Sequence, residues 1–424
     1  MEKIIKTVKN YWKVLGPGLV TGAADDDPSG IATYSQAGAS TGFGFVWLSL
    51  FTYPLMAVVQ EMCARIGLVT GTGLATNIKK YYSKKVLFIC AALLLFANVF
   101  NIGADLGAMA QGTQLLFPKF YFALLVIFFA ILSLALQIFI PYKTYAKYLK
   151  YLTFVLLAYI LCALVVSVDW AEVFRNTVIP SFHFTKDNLI LICAILGTTI
   201  SPYLFFWQTS VEVEEYNLSP QITEGISSDL EIKEDIKKMR TDVWSGMFFS
   251  NTVMFFIIVT CGAILFKNGI TNITTASDAA LALKPLAGNF AYTLFAIGIV
   301  GTGLLAIPVL AGSVSYAVSE YFDWREGLYR KWREAMAFYG VIILAVGLGI
   351  LLNFIGLDPI KALIYSAVLN GFVAPIIIFL ILGLSSNEKV MGEHKNRPLT
   401  KIIGQITFFL MALVGISAMV SFWI

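Results

Sequence analysis

Residues Asp25-Asp26-Asp27-Pro28-Ser29-Gly30 put three carboxylates, a proline and a glycine inside an otherwise apolar stretch. A carboxylate at the centre of a bilayer costs about 2.5–3.5 kcal/mol on insertion scales, so such a residue marks a functional site by default. Pro28 lacks a backbone donor and Gly30 tolerates unusual backbone angles, which predicts two half-helices around an unwound stretch. Unwound carbonyls together with carboxylates can hold a cation near the membrane midplane. Farther along, Leu196-Gly197-Thr198-Thr199-Ile200-Ser201-Pro202-Tyr203 repeats the pattern, with small and hydroxyl residues leading into a proline that interrupts a long apolar run.

The elements that must position these residues are membrane helices. The chain has 424 residues, 58% hydrophobic and only 13% charged, with mean hydropathy +0.78, a composition that excludes a soluble globular domain. Apolar runs of about 20 residues predict spans near 12–37, 43–66, 86–109, 118–140, 145–168, 187–215, 243–266, 289–321, 335–354, 359–384 and 401–423. The expectation is an all-α membrane protein of eleven transmembrane helices in one domain, 1–424. The polar insertion 217–240 reads as a solvated loop with some helix. The five cysteines lie in apolar segments without a CxxC pair and read as small core residues.

Lysine and arginine set the orientation. Counting loops alternately, 24 fall on the side of the N-terminus and 6 on the other. This predicts a multi-pass cell-membrane protein with a cytoplasmic N-terminus and an extracellular C-terminus. The two broken spans, the first and the sixth, are five spans apart. Paired breaks at matching positions predict inverted repeats, 12–168 and 187–384, with helix 401–423 added and the substrate between the breaks. Transport of a solute by alternating access follows from that layout.

At these same residues the chain resembles the Nramp family of divalent metal transporters. Gly16-Pro17-Gly18 and Asp27-Pro28 resemble the family's first-span opening and its Asp-Pro-Gly-Asn motif. Gln60-Glu61-Met62-Cys63-Ala64-Arg65-Ile66-Gly67-Leu68-Val69-Thr70-Gly71 resembles the second-span signature, and Asp105-Leu106-Gly107 the third-span Asp-Leu-Ala-Glu. Residues 197–203 fall where the family has Gly-Ala-Thr-Val-Met-Pro-His. The resemblance implies the LeuT-type 5+5 inverted repeat with broken helices 1 and 6. It also implies a metal site built from Asp27, the positions of Gly30 and Ser201, and the carbonyl of Thr198, with Asp26 nearby. Gly30 stands where the family has Asn and Ser201 where it has Met. Loss of the thioether removes discrimination against Mg²⁺ and Ca²⁺, and the absent Asn side chain predicts a roomier, oxygen-only site suited to partly hydrated Mg²⁺. This pattern resembles the Nramp-related magnesium transporter branch. Tyr203 and Gln208 replace the family's two histidines and Ala108 its third-span Glu. Neither Tyr nor Gln carries protons near neutral pH, so weak or absent proton coupling is implied.

Other polar residues carry expectations of their own. Glu61 and Arg65, four apart, read as an i,i+4 ion pair that also fits an inner gate. Asp25 is expected to face a vestibule and draw in cations. Asp105 reads either as a structural residue hydrogen-bonded to Asn101 or as a residual proton relay. Glu212, Glu214 and Glu215 read as a solvated helix end, and Asp358 as a helix start. The leading function is secondary transport of Mg²⁺, with Mn²⁺ also carried. The first rival is a proton-coupled Mn²⁺/Fe²⁺ symporter; the second is a sodium-coupled organic-solute carrier, against which the clustered acids argue. With no nucleotide loop, histidine site or nucleophile constellation, an enzyme is not expected. The expected partners are the metal ion and the bilayer. No cofactor, nucleic acid or obligatory protein partner is inferred.

Overall fold

The structure, a computed structural model, describes residues 15–140, 144, 156–181, 184–218 and 229–421. The N-terminal lead and most of the first half of the predicted fifth span lie outside the described residues. In chain order the helices are α1 Pro17–Asp25, α2 Pro28–Thr41, α3 Trp47–Thr70, α4 Leu74–Tyr81, α5 Lys84–Leu116 and α6 Phe122–Phe139. Then come α7 Leu157–Val165, α8 Trp170–Val178, α9 Lys186–Thr199, α10 Pro202–Asn217, α11 Asp229–Ile264 and α12 Ala276–Ala280. The last six are α13 Lys284–Ala287, α14 Ala291–Phe322, α15 Met336–Leu352, α16 Pro359–Ser386, α17 Glu388–Met391 and α18 Pro398–Ser421. No strand occurs among the described residues.

Both predicted breaks are present. The first span divides into α1 and α2 at Asp26-Asp27, the sixth into α9 and α10 at Ile200-Ser201, and each second half starts with its proline in the first turn. A proline there gives up a donor that the helix start leaves unused anyway. By contrast, Pro54, Pro308 and Pro375 lie inside continuous helices. Among the described residues seven helices are long and apolar enough to cross a membrane, the sixth span counting as one. Of the other predicted spans, the first is halved by its break, the second is the 24-residue α3 with buried Gln60, Glu61 and Arg65, and the ninth is the 17-residue α15. The fifth is described only in part, as α7. The helix expected within the 217–240 insertion is the start of α11, which begins at Asp229 and runs on into the seventh span.

The broken helices sit at the centre. α1 and α2 pack along α11, α9 lies on α16, and α5 is enclosed by α14, α15 and α16. Backbones touch at several of these crossings. A Cβ on Gly22 would overlap the carbonyl of Gly246, and one on Gly197 the carbonyl of Ala367. Small residues allow this approach where no hydrophobic force between helices exists in lipid. The periphery is apolar: Phe96, Phe128, Ile131, Leu344, Phe379, Phe409 and Leu413 are all exposed, as lipid-facing residues are. All five cysteines are buried, as the sequence indicated, and none forms a disulfide among the described residues.

Candidate functional site

Asp27 is the N-cap of α2. Its φ of −67° and ψ of 173° are extended, the geometry in which a cap side chain reaches back to free amides. Oδ1 accepts the Gly30 N–H at 2.7 Å and the Ser29 hydroxyl at 2.6 Å. Oδ2 accepts the amide of Asn101, from α5, at 3.0 Å. The Asn101 carbonyl in turn accepts the Ser366 hydroxyl of α16 at 2.9 Å. Asp27, Asn101 and Ser366 are fully buried. The positive end of the α2 dipole faces the Asp27 carboxylate, and four donor or acceptor groups from three helices fix it in place.

The sixth-span break faces the first. Ser29 Oγ lies 3.2 Å from Thr198 Oγ1, and Tyr34 Oη 3.1 Å from Thr199 Oγ1. The Ser201 hydroxyl turns back onto its own helix, donating to the carbonyls of Gly197 at 2.8 Å and Thr198 at 2.6 Å. Tyr203 donates to the carbonyl of Ala24, near the end of α1, at 3.2 Å. Below it, Thr21 donates to Gln208 at 2.5 Å and Gln208 to Glu212 at 3.0 Å, which links α1 to α10. The groups that donate to Asp27 are therefore one hydroxyl, one backbone N–H and one side-chain amide nitrogen, and the Thr198 hydroxyl and carbonyl lie beyond Ser29 and Ser201. A thioether, Met254 Sδ on α11, stands 4.0 Å from Thr199 Oγ1. Among the described residues no three His, Cys, Asp or Glu side chains converge as a metal cluster.

Several expectations need correction. Asp25 does not face a vestibule: it is fully buried, and Ser250 of α11 donates to it at 2.6 Å and to Asp26 at 3.3 Å. Packing α11 across the unwound stretch turns both acids inward. Space beside Gly30 is also not roomy in this conformation. A Cβ there would meet the Asp25 carbonyl at 3.2 Å, the Tyr34 ring at 3.3 Å and Thr198 Oγ1 at 3.4 Å. Asp105 is not bonded to Asn101, whose amide is taken by Asp27; both Asp105 oxygens are buried without a partner among the described residues.

Glu61 and Arg65 do not pair with each other. Glu61 accepts Arg240 at 2.8 Å and the Trp244 indole at 2.9 Å, both from α11, while Arg65 donates to Asn396, just before α18. Both oxygens of Glu61 are taken by α11, while Arg65 Nε stays buried without a partner among the described residues. Glu214 is likewise no solvated helix end: it accepts Tyr316 at 2.7 Å and the amides of Leu328 and Tyr329 at 3.0 and 3.3 Å. It lines a cavity of about 480 Å³ with Thr72, Ser210 and Glu326, which includes no residue of either break. In that loop burial, and then the neighbouring Glu320 and Glu214, push the Glu326 carboxyl well above the ordinary range. Asp358 caps α16 as expected, accepting the amides of Ile360 and Lys361.

Asn101, expected beside Asp105 on the polar face it shares with Asn98, serves Asp27 instead. Ser366 and Ser250, short polar residues in apolar runs, were missed from the sequence, and so was Asp242. Its two oxygens accept the amides of Gly16, Gly18 and Leu19 at 2.8, 2.6 and 3.1 Å, so α11 clamps the start of α1.

The comparisons with known proteins agree with this architecture. The family profile described as "Natural resistance-associated macrophage protein-like" (Nramp) matches residues 18–421. A protein of Caldanaerobacter subterraneus named "Divalent metal cation transporter MntH" is 27% identical over 96% of this chain and 93% of its own. Its namesake from Clostridium acetobutylicum is 26% identical over 98% and 92%. Among solved structures, a manganese transporter of Eremococcus coleocola superposes with a TM-score of 0.79 at 20% identity, covering 98% of this chain and 88% of that one. Mhp1, a nucleobase-cation-symport-1 transporter in a closed conformation, gives 0.59 at 15% identity over 96% and 91%. Those two likenesses support the LeuT-type fold. The profile spans nearly the whole chain, and the protein, a multi-pass membrane protein, belongs to the Nramp family of divalent metal transporters.

Proposed function

We propose that this protein carries Mg²⁺, and Mn²⁺ with it, by alternating access with weak or no proton coupling. The observation that carries the reading is the set of oxygens at the two breaks: the Asp27 carboxylate, the Ser29 and Thr198 hydroxyls and the Thr198 carbonyl, with Ser201 rather than a sulfur ligand beside them. Asp27, Asp26, the Gly30 backbone and the Thr198 carbonyl form the ion site, with Ser201 at its edge. Hard oxygen donors suit Mg²⁺, which keeps several waters and takes one or two carboxylates. Release of the Ser201 hydroxyl from the Thr198 carbonyl frees that oxygen for the ion or its water. Tyr203 donates to the Ala24 carbonyl and Gln208 to the Glu212 carboxyl, and neither offers an imidazole to move a proton. Asp25 and Asp105 border the pathway, and the Glu61 and Arg65 contacts hold its cytoplasmic half closed.

In this reading, the helices that carry the two breaks, one in each of the repeats 12–168 and 187–384, rock against the rest, and 401–423 is an added helix. The N-terminus is cytoplasmic and the C-terminus extracellular. A second reading, Mn²⁺ with proton coupling, is favoured by Met254 Sδ near Thr199 and by the manganese transporter that the chain resembles. The deciding experiment is uptake into proteoliposomes of purified protein, following Mg²⁺ and Mn²⁺ in parallel with a pH dye inside the vesicles. Mg²⁺ entry without acidification is expected. Mn²⁺ entry with acidification and no Mg²⁺ entry overturns the proposal in favour of the second reading.

A further inference from the structure

We propose that Asn101 is a specificity-determining residue, whose side-chain amide turns over when a hard divalent cation meets Asp27 and gives the ion its oxygen. The inference rests on Asp27 being the cation site. In this conformation Asn101 Nδ2 donates to Asp27 Oδ2 at 3.0 Å, and its Oδ1 accepts the Ser366 hydroxyl at 2.9 Å. The single hydrogen of Ser366 has two acceptors within reach, Asn101 Oδ1 and the Leu363 carbonyl at 2.7 Å, and is shared between them.

The two oxygens of Asp27 are not equivalent. Oδ1 is held by Ser29 and Gly30, both in the same helix turn. Among the described residues Oδ2 accepts from Asn101, against two donors at Oδ1, so it is the oxygen with a lone pair to spare. A cation at Oδ2 would meet the hydrogens of an amide nitrogen, which carry partial positive charge. Turning the amide by half a rotation replaces that repulsion with a carbonyl oxygen. The turn strands no buried group. A serine hydroxyl both donates and accepts, so Ser366 gives its hydrogen wholly to the Leu363 carbonyl and accepts the turned amide nitrogen instead. The amide that Gly30 lacks in the first span is thereby delivered from α5. An amide oxygen is a hard donor, direct or through a retained water, and favours Mg²⁺, Ca²⁺ and Mn²⁺ over soft ions.

The test measures Mg²⁺ and Mn²⁺ binding isotherms, and uptake KM and maximal rate, on the full-length reconstituted protein. The variants are Asn101→Leu, Asn101→Asp and Ser366→Ala, with Asp27→Asn as the reference. Asn101→Leu is expected to raise KM about 10–100-fold, the range seen when an orienting partner of a metal ligand is removed, with a smaller change in maximal rate. Asn101→Asp keeps an oxygen toward the ion and is expected to bind within a few-fold of the parent protein or more tightly. Ser366→Ala removes the acceptor for the turned amide and should fall between them. If Asn101 only props Asp27, a second carboxylate beside it is as harmful as leucine, and that ordering overturns the proposal. Unchanged KM in Asn101→Leu overturns it too, while lost binding in Asp27→Asn keeps the ion site standing. Normal binding by Asp27→Asn would instead remove the site reading itself. Should Asn101→Leu fail to fold, Asn101→Asp against Ser366→Ala decides by the same ordering.

Discussion

Replacing Asp27 by asparagine isolates the charge of the ion site from its structural work. The Asn oxygen can still accept from Ser29 and Gly30, so the cap on α2 survives. Only the contact with Asn101 becomes donor against donor, a cost of about 1–3 kcal/mol if left unrelieved. Asp27→Ala is the poorer test, because it strands all three buried donors at about that cost each. For the ion, the arithmetic is larger. Two unit charges about 4 Å apart at an effective dielectric near 20 attract by about 4 kcal/mol, so a divalent ion gains about 8 kcal/mol from the carboxylate before its dehydration is subtracted. If a quarter survives, the loss is about 2 kcal/mol, or roughly thirty-fold in Kd. The assay is a Mn²⁺ and Mg²⁺ binding isotherm on detergent-purified Asp27→Asn, alongside thermal unfolding and uptake into proteoliposomes. Expected are a folded protein, at least thirty-fold weaker binding of both ions by the estimate above, and no measurable uptake. Binding and uptake within twofold of the parent protein would refute the assignment of Asp27 as the ion's carboxylate.

Two further outcomes are open to direct test. Ser201→Met should shift the Mn²⁺ or Cd²⁺ preference over Mg²⁺ by about tenfold, about 1.4 kcal/mol, since a thioether is a soft ligand and the Thr198 carbonyl loses its hydroxyl donor; competition uptake that leaves the ratio unchanged means that residue 201 does not meet the ion. Asp242→Ala strips three amides at the start of α1 of their acceptor, costing about 1–3 kcal/mol for a buried group left unsatisfied. It should lower the melting temperature and speed the reaction of a cysteine introduced by Thr21→Cys with a cytoplasmic-side thiol reagent, whereas an unchanged labelling rate would show that the clamp does not hold α1 closed.

Much of the architecture was legible in the chain itself because its causes are local. Runs of about 20 apolar residues can only become helices in lipid, since every backbone group must be satisfied within the segment. Pro28 follows acids and Pro202 a serine, unlike Pro54, Pro308 and Pro375, which continuous helices carry, and both breaks appear at the expected residues. The carboxylates at the first break, the hydroxyls at the second and the departures at Gly30, Ser201, Tyr203 and Gln208 are likewise properties of the sequence.

What the residues do to one another depended on which helix lies across from them. Glu61 and Arg65 are one helical turn apart, yet α11 and the approach to α18 supply their partners. Asp25 looked open until Ser250 of α11 was placed against it. Asn101, 74 residues from Asp27, became the second holder of its carboxylate only through the packing of α5 on α2 and α16. Helix formation is decided by neighbours within four residues. The pairing of buried polar groups is decided by contacts hundreds of residues apart, such as the 265-residue separation of Ser366 from Asn101. Sequence alone therefore determined the helices, their breaks and the chemistry available at the centre. Tertiary structure decided which oxygen of Asp27 is bound by whom, because only the folded bundle brings those donors within hydrogen-bond reach.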